Sequence, residues 1–179
     1  MKNFLFFLLL FVSASIVAQG KFITKKGTIN FEASVPAFEE VKAKNTTVTA
    51  ILNTDNGEFA ALALMKGFRF KNALMEEHFN ENYIESDDYP KATFKGNLLD
   101  FDNTNIQNEY TIKGTLSLHG KSKEIETKAV LNKDDDDTIS ITSSFITKAE
   151  EFDIKIPGIV SKKIADDVSV SFNFVLKKK

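Results

Sequence analysis

The sequence predicts a mainly β domain of eight antiparallel strands with one short helix, and three observations carry that prediction. Apolar residues recur with a period of two along most of the chain, the links between those runs are short, and one segment alone has helical spacing. Such alternation marks strands with one buried and one wet face. The strands in order are residues 28–33, 46–53, 58–70, 92–98, 110–118, 125–131, 139–145 and 168–176. The last is the cleanest: Val168, Val170, Phe172, Phe174 and Leu176 oppose Ser169, Ser171 and Asn173.

Turn chemistry supports hairpins between neighbours. Thr54-Asp55-Asn56-Gly57 carries the Asn-Gly signature of a tight hairpin, and His119-Gly120 reverses the chain between two further strands. An up-and-down barrel and a sandwich both satisfy this pattern, and closure is favoured because it removes sheet edges. The stretch 59–64 is apolar on both parities, which predicts a covering element on its outer side. The helical segment, residues 73 to about 83, is the expected cover. Asn72 is its expected N-cap, and Leu74, Met75, His78, Phe79 and Tyr83 form its apolar stripe.

Composition narrows the function. The chain has 179 residues, 42% apolar and 27% charged, with a net charge of −2. That balance excludes a dedicated nucleic-acid binder. No cysteine is present, so disulfides, thiolate metal sites and cysteine nucleophiles are excluded. The first residues read as a secretory signal peptide: Lys2, an apolar run over 4–12, then small residues ending at Ala18. The expected mature domain is 19–179, periplasmic or secreted. An uncleaved N-terminal anchor is the alternative. A lipoprotein anchor would need a cysteine.

Chemical motifs are absent: no G-x-S-x-G, no G-x-G-x-x-G, no P-loop, no H-E-x-x-H. The acidic run 134–137 resembles a calcium loop superficially. In an EF-hand the sixth and twelfth positions are Gly and Glu; here they are Ile139 and Phe145, so a solvated turn is expected. Glu77, His78 and Glu81 offer ligand atoms, but their helical directions diverge, so neither metal nor cofactor is expected. A histidine on the packed helical face is expected to be a core residue. Arg69, the sole arginine, is either an anionic head-group contact or a solvated surface residue.

What remains is an apolar, phenylalanine-rich interior: 17 Phe and no Trp. Shared parity predicts that Phe31, Leu62, Leu64, Phe94, Ile112, Leu116, Ile141, Phe145, Phe172 and Phe174 surround a ligand tail. Leu74 and Phe79 of the helix would close one side. Gly96 and Gly114 fall on the same inner face, either to bend a barrel corner or to leave room for a ligand beside Gly114.

The stretch from His78 to Lys95, with its helix end, acidic turn, Tyr89-Pro90 and Thr93-Phe94, resembles the YceI-like family. So do Tyr110 to Gly120, with Gly114, Leu116 and Gly120, and Asp153-Ile154 before the closing strand. Residues 73–79 are more acidic than the family's usual segment, and the usual glycine beside Asp153 is missing. The resemblance implies a lipocalin-like barrel of eight antiparallel strands with a helix. It also implies binding of polyisoprenoids or other long amphiphiles in an apolar channel, without catalysis. The expected partner is thus a lipophilic small molecule, isoprenoid or fatty-acid-like, with membrane contact at most transient. An envelope interaction module with a side-chain-filled barrel is the second reading, and a hydrolase or isomerase the third. Exported protein should weigh less than the full chain by residues 1–18; intact mass spectrometry showing Met1 retained in soluble exported material would contradict the leader.

Overall fold

The computed structural model describes residues 20–134 and 137–179. The expected leader and the centre of the 134–137 turn lie outside the described residues. Nine strands are present among the described residues: β1 Lys21–Ser34, β2 Lys42–Asn53, β3 Glu58–Leu64, β4 Arg69–Phe70, β5 Lys91–Leu98, β6 Asn108–Leu118, β7 Lys121–Lys133, β8 Thr138–Lys148 and β9 Ile164–Lys178. Eight of them follow one another around a single antiparallel sheet, β1-β9-β8-β7-β6-β5-β3-β2, and β1 pairs with β2 to close it. Of barrel and sandwich, the chain forms the barrel, and no edge remains on the main sheet.

The ninth strand corrects the expected run 58–70. Asn45 on β2 is fully buried, and its Nδ2 donates to the Leu64 carbonyl at 3.0 Å. Its Oδ1 accepts from the Thr47 amide and hydroxyl at 2.8 and 2.9 Å. The backbone therefore leaves β3 at Leu64, turns through Met65–Gly67, and returns as β4 against Ala43 and Lys44. A Cβ on Gly67 would stand 2.6 Å from that same amide nitrogen. A buried amide must be hydrogen-bonded, and that demand overrides a continuous apolar pattern.

The helix is α1, Ala73–His78, extended by a π turn over Phe79–Tyr83. Asn72 caps it, its Oδ1 accepting the Leu74 amide at 2.9 Å. The expected position is corrected, because α1 lies over one end of the barrel and not on the outer face of β3. Leu64 on that outer face is 54% exposed. A second helix, α2 (Gly158–Ser161), is a single turn between β8 and β9.

The alternating topology puts the β1–β2, β3–β5, β6–β7 and β8–β9 connections at one end. The opposite end is solid: Phe22, Leu52, Leu98, Tyr110, Leu131, Ile139 and Leu176 are all buried and packed together. Tyr110 closes the floor with its hydroxyl donating to the Asn105 carbonyl at 2.6 Å.

Midway along the wall, Phe59 pairs with Gly96, and Gly96 with Gly114. A Cβ on Gly114 would lie 2.3 Å from the Lys95 carbonyl oxygen and 2.7 Å from the Phe94 ring. Backbone approach, not ligand room, requires glycine at this point. Gly114→Leu should therefore lower the melting temperature by an amount matching about 1–3 kcal/mol or more; unchanged melting would contradict the close approach.

Candidate functional site

Above that waist the barrel is hollow. A cavity of about 470 Å³ runs from Phe59, Phe172 and Phe174 up to the mouth, a size typical of small-molecule sites at about 300–1,000 Å³. Its walls come mainly from one parity of the strands that border it: Ile29, Phe31 and Ala33; Phe59, Ala61 and Ala63; Ala92 and Phe94; Ile112, Leu116 and Leu118. Ile125, Phe145, Val168, Val170, Phe172 and Phe174 complete the ring. Many of these inward apolar residues are only half-buried, in contrast with the sealed floor. The lumen is open space, not core.

Two aromatic groups shape it. Phe172 and Phe174 stack at 4.8 Å between centroids, with Phe59 about as close to each, at 6.3 and 6.0 Å. Nearer the mouth, Phe79 of the π turn lies 5.4 Å from Phe31 and 5.1 Å from Phe70. These rings are rigid and apolar, so they present a surface suited to a hydrocarbon chain.

Of the residues expected around a tail, Phe31, Leu74, Phe79, Phe94, Ile112, Leu116, Phe145, Phe172 and Phe174 all line the cavity. Four expectations are corrected. Leu62 and Leu64 alternate with the lining residues Ala61 and Ala63 and so face outward. Ile141 points inward but is fully buried in the sealed half. Gly114 sits beneath the Phe94 ring, against backbone. The helical stripe does face the cavity, yet His78 is exposed at its edge and is no core residue. Among the described residues no group of three His, Cys, Asp or Glu is placed to hold a metal ion.

Sequence reasoning missed the lining residues Phe59, Met65, Phe68, Phe70, Phe152, Ile156 and Val160. For Phe59 a signal existed: its ring needs space, and its strand partner is a glycine, Gly96.

The mouth is held by polar straps. Arg69 does not reach the cavity; its Nη1 donates to Glu76 at 2.7 Å and to the Lys66 carbonyl at 3.0 Å. The other Glu76 oxygen accepts the Phe70 amide at 3.0 Å, so α1 is tied to β4. Asn72 reaches Glu39 in the β1–β2 connection at 2.7 Å. His119 joins three connections at once. Its Nδ1 donates to the Phe152 carbonyl at 2.9 Å, the only sense a carbonyl allows, and its Nε2 meets Glu85 at 3.1 Å. The Tyr89 ring packs 4.4 Å from the imidazole. Gly120 beside it has φ +71°, and a Cβ there would press on Tyr89 at 2.9 Å.

Glu151 fastens the start of the β8–β9 connection. The Lys148 amide and Thr147 hydroxyl donate to its Oε2 at 3.2 and 3.0 Å and hold its carboxyl below the ordinary value, with Lys123 helping. Its folded-state pKa is the lower one, so this clasp is complete above the unfolded value and weakens as pH falls through the folded one.

A family profile described as YceI-like domain matches residues 15–176. The chain belongs to the YceI-like family. Solved structures agree in fold. A polyisoprenoid binding domain from Saccharophagus degradans, implicated in plant cell wall breakdown, superposes with a TM-score of 0.76 at 15% identity, covering 90% of this chain and 99% of that one. BcnA of Burkholderia cenocepacia gives 0.71 at 14% identity, over 84% and 96% of the two chains. The Campylobacter jejuni YceI protein gives 0.64 at 18%, over 81% and 90%. No curated protein matches the chain.

The motif residues of this YceI-like chain thus serve the mouth: Tyr89, His119 and Gly120 pack on one another. Replacing His119 by Ala leaves the Phe152 carbonyl without its donor and should cost about 1–3 kcal/mol. Amide exchange should quicken in residues 149–153 before the barrel strands; uniform protection in that variant would contradict the strap.

Proposed function

We propose that this chain is a non-catalytic carrier that shelters the tail of a long-chain lipophilic molecule, isoprenoid or acyl, within the upper barrel. It works outside the cytoplasm once residues 1–18 are removed. One observation carries the reading: apolar residues such as Phe31, Ala61, Phe94 and Phe172 face a roughly 470 Å³ lumen without filling it. A protein gains nothing by wetting such a wall, whereas a hydrocarbon chain gains by covering it. The polyisoprenoid binding described for the Saccharophagus degradans domain supports the same class of cargo.

Binding here is burial. Each methylene-sized unit contributes about 0.8 kcal/mol, so a dozen supply on the order of 10 kcal/mol against ordering costs of at least about 4. Short chains therefore bind weakly, and affinity climbs with length until the lumen is full. The cavity wall is mostly apolar, with Glu39, His78, Lys148 and Lys163 among its few titratable residues, which supports sequestration as its chemistry.

Ala61→Phe tests this directly, because Ala61 borders the lumen and is only half-buried. Native mass spectrometry before and after organic extraction should find lipid on the parent protein and little on the variant, with melting nearly unchanged. A parent protein that never holds lipid, together with strong destabilisation of the variant, would instead support a filled barrel serving as an interaction module.

A further inference from the structure

The connection between β8 and β9 has two unlike sides. Its inner side contributes Ile156 and Val160 to the cavity wall. Its outer side presents Ile159, which at 89% is the most exposed large apolar side chain among the described residues. Gly158 next to it faces open space, with nothing within 4 Å of a built Cβ. The turn of α2 thus lifts an isoleucine clear of the protein.

Along the chain from residue 154 to 165, between Asp153 and Asp166, the charge is one-signed. Lys155, Lys162 and Lys163 flank Ile159, and no acid occurs in that stretch. All three lysines are exposed, and among the described residues none has an ion-pair partner. On α1, which borders the same cavity, Leu74 is 56% exposed. An apolar anchor within a basic collar, at the lip of an apolar cavity, matches the layered chemistry of a bilayer surface. The anchor suits the acyl boundary, and the ammonium groups suit anionic head groups.

We propose that residues 155–163 form a docking flap for an anionic phospholipid surface, placing the cavity mouth against the bilayer from which a tail is drawn. The inference rests on the tail-binding reading of the cavity and adds the source of the tail. The contact is reversible, because one isoleucine and three lysines give far less hold than a spanning segment.

The test is sedimentation with vesicles of phosphatidylcholine alone and with phosphatidylglycerol added, at low and high salt. A prenyl alcohol in detergent serves as a separate probe of the cavity. The parent protein should sediment with the anionic vesicles and be released by salt. Lys155→Glu with Lys162→Glu, at two exposed lysines off the cavity wall, should weaken that binding by about tenfold or more. Ile159→Ser should weaken it as well, and both variants should keep the parent's melting temperature and hold the detergent-presented probe. Vesicle binding indifferent to lipid charge, or variants that sediment like the parent, would overturn the flap. A parent protein that sediments but never holds the probe would defeat the cavity reading alone and leave the flap supported.

Discussion

Side-chain volume on the inner face of a closed eight-stranded barrel is the constraint on which the rest of this structure depends. A barrel of that size is just wide enough to be filled by side chains or to hold one small ligand. Here it does both, one above the other. Below the waist, Leu52, Ile139, Ile141 and Leu176 fill the section completely. Above it, Ala33, Ala61, Ala63 and Ala92 occupy wall positions and leave the lumen open. The glycine pair at the waist lets β5 and β6 approach closely, which makes room for the Phe59 and Phe94 rings, 6.0 Å apart between centroids.

A hollow half needs an ordered mouth, since it lacks a core to hold its loops. The loops are fixed instead by side chains that satisfy backbone groups outside the ladder, as buried or partly buried polar groups require. Asn45 fixes where β3 ends, Glu76 binds both Arg69 and the Phe70 amide, and His119 holds the Phe152 carbonyl. Arg69, the candidate head-group contact, is spent on this scaffolding, and so is the turn residue His119. Apolar surface also stays exposed at the mouth, at Leu74 and Ile159, with lysines beside the latter.

The barrel was legible because period-two alternation is a direct consequence of strand geometry, and β9 or β6 could be read almost residue by residue. Two parts were not. The sequence 59–64 is apolar on both parities, so alternation alone cannot say which face is inside; choosing by size favours Leu62 and Leu64, while the pairing of Phe59 with Gly96 puts the other set inward. The depth of a residue along the barrel was equally hidden. Ile141 and Phe145 share a face, but only the stagger of the strands puts one in the plug and the other on the lumen. The break at Leu64 depends on Asn45, nineteen residues away, which no local pattern reports.

The claim that the barrel is hollow above and solid below is tested most directly by contacts between protein and ligand protons. With a prenyl alcohol bound, nuclear Overhauser contacts should connect its methyl groups with Phe31, Phe94, Phe145 and Phe172. None should reach Ile139, Ile141 or Leu176. Contacts confined to outward residues such as Leu62 and Leu64, or a ligand lying among the residues of the lower half, would contradict the account.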